Sequence, residues 1–178
     1  MRSYLLRCEL KTRRSLAEAF AVFEDPRNLA RITPPWLNFR ITTAEEIVMR
    51  RGARIDYRIR WLGLPVAWST LITDYEPPHR FIDFQDRGPY VLWRHLHSFT
   101  EDTDGTVVAD EVRYVLPFGP LGWLAHSWKI GDQLIEIFQY RQRAIGDLLG
   151  EVTQVRPPLI VRAQPVTGDD IRRYRRMD

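Results

Sequence analysis

Apolar and polar positions alternate through residues 80–116 in three short runs that are separated by clusters of turn-forming residues. Successive side chains of a strand point to opposite faces of a sheet, so each run places one set on a common face. The runs predict a meander of antiparallel strands over residues 79–86, 91–101 and 106–116. The more aromatic set is expected to face inward and comprises Phe81, Asp83, Gln85, Trp93, His95, His97, Phe99, Val108, Asp110, Val112, Tyr114 and Leu116.

The same period of two predicts four more strands, over residues 3–12, 37–49, 53–62 and 66–76. Residues 53–62 alternate most regularly, and the side chains expected to face inward there are Ile55, Tyr57, Ile59 and Trp61.

Helical patterns lie on both sides of the strand run. Ser15 and Glu18 have the spacing of a capping box, which predicts a helix over 15–25 with an apolar stripe formed by Leu16, Ala19, Phe20 and Phe23. Pro26 suits the first position of a second short helix over 26–33. A long helix over 121–149, bent at its glycines, is predicted from apolar residues at three- and four-residue steps, namely Leu124, Trp128, Ile135, Phe138, Ile145, Leu148 and Leu149.

This order of elements predicts an α+β fold, in which a curved antiparallel sheet of about seven strands wraps around the long C-terminal helix. Two short helices follow the first strand, and a cavity is expected between the sheet and the long helix. The domain is expected to span residues 1–150. Residues 151–178 are predicted to be a basic extension that packs along the surface or stays mobile, with a solvated end around Arg172, Arg173, Tyr174, Arg175 and Arg176.

Composition limits the partners and the cellular location that we expect for this protein. The chain has 178 residues, of which 44% are hydrophobic and 28% charged, and its net charge is +3. All but Lys11 and Lys129 of the 26 basic residues are arginine, but charges of both signs are mixed along the chain, so we expect no specific nucleic-acid partner. A single cysteine, Cys8, excludes an internal disulfide and fits a reducing compartment. Without a secretory or membrane-spanning pattern, the expected location is the cytoplasm.

Asp83, His95, His97 and Asp110 are the candidate chemical residues. If both turns of the meander are tight, Asp83 lies opposite His95 and His97 lies opposite Asp110, close enough to interact. Three interpretations stay open: a hydrogen-bond network that fixes the strand register, groups that orient a ligand, or an acid-base pair or metal site. No cofactor-binding motif is present, and we expect neither a cofactor nor a metal.

Aromatic residues are numerous enough to line a pocket as well as a core. The predicted ligand-binding residues are Tyr57, Trp61, Trp68, Asp83, Gln85, Trp93, His95, His97, Asp110, Tyr114 and Trp128. Two stiff apolar segments, residues 34–37 and 117–123, are expected to form an entrance lip, a transient membrane contact or a rigid corner.

Several stretches resemble the START-like, or SRPBCC, superfamily, and more closely its bacterial members described as polyketide cyclase/dehydrase or coenzyme Q-binding-like proteins. The stretches are DPRNLARITPPWLNF (25–39), GARIDYRIRWLGLPVAW (52–68), FIDFQDRGPYVLWRHLHSF (81–99), DEVRYVLPFGPLG (110–122) and IFQYRQRAIGDLL (137–149). The resemblance covers about residues 1–150 and implies a helix-grip fold. The superfamily includes lipid carriers, hormone receptors and aromatase/cyclases, which have no catalytic motif in common, so no catalytic residue is transferred.

The resulting hypothesis is a protein that binds a small hydrophobic molecule, such as a lipid, quinone, polyketide or sterol, in an internal cavity. The alternative is an enzyme of the polyketide cyclase or dehydratase type, with His95, His97 and Asp110 as candidate catalytic residues. A third hypothesis is an interaction module that acts through the basic tail. The sequence contains no pattern that predicts an oligomeric state.

Overall fold

The computed structural model describes residues 1–61 and 63–176, without the side chain of Arg176. Its strands are β1 (Ser3–Thr12), β2 (Arg40–Ile41), β3 (Arg54–Trp61), β4 (Leu64–Glu76), β5 (Arg80–Arg87), β6 (Leu92–Asp102), β7 (Gly105–Val115) and β8 (Val152–Ala163). They form one open, curved antiparallel sheet in the order β2-β3-β4-β5-β6-β7-β1-β8. The meander from β3 to β7 confirms the predicted strands within one or two residues, except that Leu62, the last residue of the predicted strand 53–62, lies outside the described residues.

The helices are α1 (Leu16–Glu24), α2 (Asn28–Arg31), α3 (Pro120–Ala125), α4 (Gly131–Leu149) and α5 (Gly168–Arg176). The predicted capping box is confirmed at α1, where the Glu18 amide donates to Ser15 Oγ and the Ser15 amide donates to the Glu18 carboxylate. The predicted apolar stripe of α1 is buried. None of the helices in residues 1–61 and 63–176 is both long and apolar enough to cross a membrane.

The core lies between the inner face of the sheet and helices α1 and α4. One half centres on Trp68, Trp93, Tyr114 and Phe138, and the other packs α1 against the far ends of β5 and β6. Some apolar side chains, including Phe84, point to the outer face of the sheet. Val166 and the helix α5 cover them there. The sheet is therefore apolar on both faces along part of its length.

The predicted strand over residues 37–49 is wrong apart from two residues. The backbone leaves the ladder after Ile41, where the amides of Thr42 and Thr43 both donate to the Asp56 carbonyl. The Thr43 hydroxyl then accepts a hydrogen bond from the Asp56 amide at 2.8 Å. A side chain thus takes the place of the next ladder partner, which ends pairing at this edge of the sheet.

The eighth strand comes from the C-terminal extension, which the sequence analysis did not place in the sheet. β8 pairs antiparallel with β1 from Ser3 to Thr12. Pro157 and Pro158 lie at a register shift opposite Cys8, where ladder hydrogen bonds are already interrupted. Prolines are tolerated at bulges and on edge strands, and β8 is both bulged and at an edge. Arg172, Arg173 and Arg175 are exposed, as expected of a solvated terminus, but residues 168–176 form the helix α5.

The predicted long helix is not uniformly α-helical. A π-helical segment, His126–Ile130, joins α3 to α4, and the Gly131 amide donates to the His126 carbonyl five residues back. A Cβ at Gly131 would lie 3.2 Å from the His126 ring, so the close turn suits glycine. The segment brings the His126 ring flat against Tyr4, with 3.8 Å between ring centroids.

Candidate functional site

A cavity with a volume of about 180 Å³ lies between the inner face of the sheet and α4. Its wall is mostly aromatic and aliphatic, with Trp68 and Trp93 on the sheet side and Leu134 and Phe138 on the helix side. A single water needs only about 15 Å³ of such space. The cavity is therefore large enough for several heavy atoms of an apolar molecule.

One wall of the cavity is polar and is built by neighbouring strands. The register places Asp83 of β5 opposite His95 of β6, and His97 of β6 opposite Asp110 of β7, as the sequence predicts. Residues two apart on a strand share a face, so all four side chains meet. We call Asp83, His95, His97 and Asp110 the His-Asp cluster.

Each imidazole in the His-Asp cluster lies between two carboxylates. His95 Nδ1 is 3.3 Å from Asp83 Oδ2, and His95 Nε2 is 3.0 Å from Asp110 Oδ1. His97 Nε2 is 2.8 Å from Asp83 Oδ2, and His97 Nδ1 is 2.8 Å from Asp110 Oδ1. The last contact is short but lacks hydrogen-bond geometry, so Nδ1 is a buried nitrogen without a hydrogen-bond partner in the described part of the chain. A neutral imidazole has one N–H, so the two carboxylates that flank His95 favour its imidazolium form.

Arg141 of α4 completes the charge balance of the cluster. Its Nε lies 3.4 Å from Asp110 Oδ2, and its guanidinium also lies 5.8 Å from the ring centre of Phe23. Two carboxylates, one guanidinium and one imidazolium sum to zero, which is the arrangement that a buried site tolerates best.

The shifts in pKa agree with this balance. Burial alone would raise the pKa of Asp83, but the charges and hydrogen bonds of His95 and His97 outweigh it and lower that pKa. Burial would likewise raise the pKa of Asp110, but Arg141 and the two histidines hold it well below its ordinary value. Burial would lower the pKa of His95, but Asp83 and Asp110 raise it instead. The raised pKa of His95 favours the imidazolium form that the charge balance requires.

Seven of the predicted ligand-binding residues line the cavity. They are Tyr57, Trp61, Trp68, Asp83, Trp93, His95 and His97. Their binding role stays a prediction, but the structure brings them to one surface.

Three other predicted residues lie in the interior away from the cavity wall. Gln85 is used locally, because its amide donates to the Tyr90 carbonyl at 2.8 Å and accepts from the Tyr90 amide at 3.2 Å. Asp110 contacts the histidine nitrogens that point away from Asp83. Tyr114 is fully buried, and its hydroxyl lies 2.7 Å from His126 Nε2. The structure does not bring these three residues to the cavity wall, and their binding role stays a prediction.

Trp128 is 80% exposed and does not line the cavity, so the structure separates it from the other predicted residues, and its binding role stays a prediction. The π-helical segment changes the phase of the helix, and one added residue rotates the following face by about 100°. Positions 124 and 128 therefore do not continue the buried stripe of α4, which begins at Leu134.

Sequence reasoning missed Arg141 and the part of the wall contributed by residues 23–49. Arg141 lies three residues after Phe138 and four before Ile145, on the buried stripe of α4. An arginine within an apolar stripe is a usable signal of an interior charge, but its partner Asp110 is on a distant strand. The contributions of Phe39 and Met49 follow an irregular path that no periodic pattern describes.

The two stiff apolar segments have different positions. Pro34 and Leu37 line the cavity, while Trp36 packs edge-on against Tyr140 of α4. In the second segment, Phe118 and Leu121 are exposed. The predicted membrane contact at that segment stays a prediction.

Comparison with solved structures supports the architecture. Protein TTHA0849 from Thermus thermophilus superposes with a TM-score of 0.62 at 15% identity, covering 82% of this chain and 96% of that one. Protein CV1439 from Chromobacterium violaceum gives 0.63 at 14% identity, with coverage of 82% and 96%. SA2116 from Staphylococcus aureus, described as a protein of unknown function, gives 0.61 at 12% identity, with coverage of 83% and 94%.

No family model and no curated protein matches the chain. At identities of 12–15% the likeness to solved structures concerns the fold alone. The chain therefore shares the curved antiparallel sheet of these bacterial proteins.

Proposed function

We propose that this chain is a START-like, helix-grip protein that binds one small hydrophobic molecule, of the lipid, quinone, polyketide or sterol type, in the cavity between the sheet and α4. The observation that carries the proposal is an aromatic cavity with a polar wall formed by Asp83, His95 and His97 of the His-Asp cluster. A core that served only stability would be filled by side chains, because protein interiors are close-packed.

Affinity in such a site comes mainly from apolar surface. Each Å² of apolar ligand surface removed from water contributes roughly 25 cal/mol before the costs of ordering the ligand. The rings of Trp68 and Trp93 meet edge-to-face with centroids 5.5 Å apart, which holds both rings in place before a ligand arrives. A preformed wall lowers the ordering cost.

Polar groups at the wall favour a ligand with an oxygen acceptor. The indole Nε1 of Trp68 is a buried donor without an acceptor in the described part of the chain. The hydroxyls of Tyr57 and Thr70, 3.4 Å apart, are only loosely engaged with each other. A carbonyl, hydroxyl or quinone oxygen would satisfy such donors, and buried donors gain most from being satisfied.

Acid-base catalysis is the alternative function, and the geometry supports it less. A general base needs a lone pair directed at the substrate. All four ring nitrogens of His95 and His97 instead lie within 3.3 Å of a carboxylate oxygen. Catalysis would predict that His97→Gln abolishes turnover of a poly-carbonyl substrate while ligand binding is kept.

The proposal is tested by native mass spectrometry of the purified protein, followed by solvent extraction and identification of what is released. We expect a mass increment that matches one apolar molecule per chain and that disappears after extraction.

A variant in which a larger side chain fills part of the cavity shows where that molecule binds. Ile59 lines the cavity, so Ile59→Trp fills part of it, while Leu124→Trp adds the same side chain at an exposed position. The increment should be lost from Ile59→Trp and kept in Leu124→Trp. An increment of equal size in both variants would place the molecule outside the cavity and contradict the proposal.

A further inference from the structure

Three potential metal ligands converge on the cavity side of the His-Asp cluster. Asp83 Oδ2 lies 2.8 Å from His97 Nε2 and 3.3 Å from His95 Nδ1, and one ligand atom of each residue lies within 4.8 Å of the others. Ligand atoms that bond one tetrahedral Zn²⁺ at about 2.0–2.2 Å are themselves about 3.3–3.6 Å apart. The 3.3 Å separation between Asp83 Oδ2 and His95 Nδ1 matches that of a shared metal ion, and the 2.8 Å separation between Asp83 Oδ2 and His97 Nε2 would widen by about 0.5 Å on binding.

The opposite side of the cluster has the arrangement that supports metal-binding histidines. Asp110 Oδ1 lies 3.0 Å from His95 Nε2 and 2.8 Å from His97 Nδ1, the two nitrogens that face away from Asp83. A carboxylate at the second nitrogen of a ligating histidine fixes its tautomer and ring orientation. Arg141 in turn contacts the other oxygen of Asp110.

His97 provides an independent observation. Its side chain is 2% exposed, and its Nδ1 has no hydrogen-bond partner in the described part of the chain, although Asp110 Oδ1 is 2.8 Å away. With the proton on Nε2, donated to Asp83, the lone pair of Nδ1 faces a carboxylate oxygen. A metal ion on Nε2 would place the ring proton on Nδ1, which lies 2.8 Å from Asp110 Oδ1 and needs a reorientation to donate to it.

We propose that Asp83, His95 and His97 form a binding site for one divalent first-row transition-metal ion, with Asp110 as the outer partner that orients both histidines. Two imidazoles and a carboxylate suit Zn²⁺, Co²⁺ or Fe²⁺ better than Mg²⁺ or Ca²⁺. Three protein ligands leave a coordination position open, and all three line the cavity, so a ligand oxygen can reach that position. The inference goes beyond the binding of an apolar molecule.

The test is made on the full chain after treatment with a chelator, with no apolar ligand added. Zn²⁺ binding is measured by competition with a chromophoric chelator, and Co²⁺ serves as a spectroscopic probe. We expect one equivalent of Zn²⁺ per chain and a Co²⁺ absorption spectrum of low coordination number without a thiolate charge-transfer band.

Substitutions assign the ligands. Asp83→Asn and His97→Gln are expected to abolish tight Zn²⁺ binding, and Asp110→Asn to weaken it about 10- to 100-fold, the effect typical of outer partners. His79 lies outside the cluster, in the turn between β4 and β5, so His79→Gln is the matched control and should bind like the wild type.

Two results would overturn the proposal. One is wild-type protein that takes up no stoichiometric Zn²⁺ and gives the Co²⁺ spectrum of the free aqueous ion, a result that does not depend on any variant folding. The other is a thiolate band, which would place the metal at the buried Cys8. Either outcome leaves the proposed binding of an apolar molecule untouched, because that is measured separately.

Discussion

At the scale of single residues, the His-Asp cluster carries a high cost in desolvation free energy. The side chains of Asp110 and His95 are 4% and 7% exposed, so their charges have lost most of their hydration. Such charges are tolerated only because each one has an opposite charge within hydrogen-bond distance. The cluster is consequently sensitive to the loss of any one member.

Asp110→Ala is expected to lower the free energy of unfolding by about 3–5 kcal/mol, because it leaves His95 and Arg141 with one carboxylate between them. Asp104→Ala is the control, since Asp104 is mostly exposed and 3.9 Å from Lys11. Urea unfolding followed by circular dichroism measures both. Equal, small losses in the two variants would show that the cluster is not a coupled unit.

Much of the cluster could be predicted from the sequence, because strand alternation and the 103–105 turn fix which residues oppose each other. Asp83 opposite His95 and His97 opposite Asp110 follow from counting along two hairpins. Arg141 could not be placed in the same way, because its contact with Asp110 joins a helix to a strand 31 residues away. No local pattern determines how α4 rotates about its own axis.

At the scale of secondary-structure elements, the π-helical segment decides which helical side chains are interior. It buries Ile130 and leaves Trp128 on the surface, whereas a regular helix through Leu124 and Trp128 would continue the core stripe. The segment depends on the tertiary contacts of His126 with Tyr4 and Tyr114, which the sequence does not display.

Trp128→Ser therefore tests the position of this helix. Because the Trp128 side chain is exposed, the substitution should change the free energy of unfolding by no more than about 0.5 kcal/mol, as ordinary surface substitutions do. Trp93→Ala, by contrast, removes a buried ring and should cost about 3–5 kcal/mol. Thermal and urea unfolding of the two variants measure the difference, and a large loss for Trp128→Ser would contradict the helix phase.

His126 makes the same element sensitive to pH. Burial lowers the pKa of His126, and Asp132 opposes that shift only in part. The fold therefore favours the neutral ring, whose Nε2 lies 2.7 Å from the Tyr114 hydroxyl while its face packs on Tyr4. This contribution to stability is complete above the unfolded pKa of about 6.5. It declines as the pH falls below that value and levels off below the lowered pKa of the folded state.

His126→Phe keeps an aromatic ring against Tyr4 but cannot titrate. The difference in stability between wild type and variant should consequently change as the pH is lowered from about 7.5 to about 5, with the wild type losing more. Urea unfolding at a series of pH values measures it. A constant difference across the series would show that His126 does not titrate differently in the two states.

At the scale of the whole molecule, the C-terminal residues complete the fold. β8 covers the edge of β1, and the Gln142 amide of α4 donates to the carbonyls of both Glu9 and Arg156. On the outer face, Tyr174 accepts a hydrogen bond from Arg113 at 2.7 Å. The sequence did not indicate this role because two prolines interrupt β8 and arginines dominate α5.

Removal of residues 151–178 is therefore expected to expose the edge of β1 and the apolar outer face, and to cause a large loss of thermal stability or aggregation. Removal of 164–178 alone keeps β8 and should cost less. Circular dichroism melts and size-exclusion chromatography compare the three chains. A chain ending at residue 150 that unfolds at the wild-type temperature would instead support a tail that acts independently of the domain.

The whole-molecule proposal is a preformed apolar cavity with a polar wall, and direct ligand titration tests it best. Isothermal titration calorimetry with a quinone, a sterol, a fatty acid and an aromatic polyketide mimic, applied to wild type, Ile59→Trp and Leu124→Trp, measures affinity and stoichiometry together. We expect saturable binding of one molecule of at least one class to the wild type and to Leu124→Trp, with that binding lost or greatly weakened in Ile59→Trp. Equal binding by Ile59→Trp, or no binding of any class by the wild type, would contradict a ligand-binding cavity between the sheet and α4.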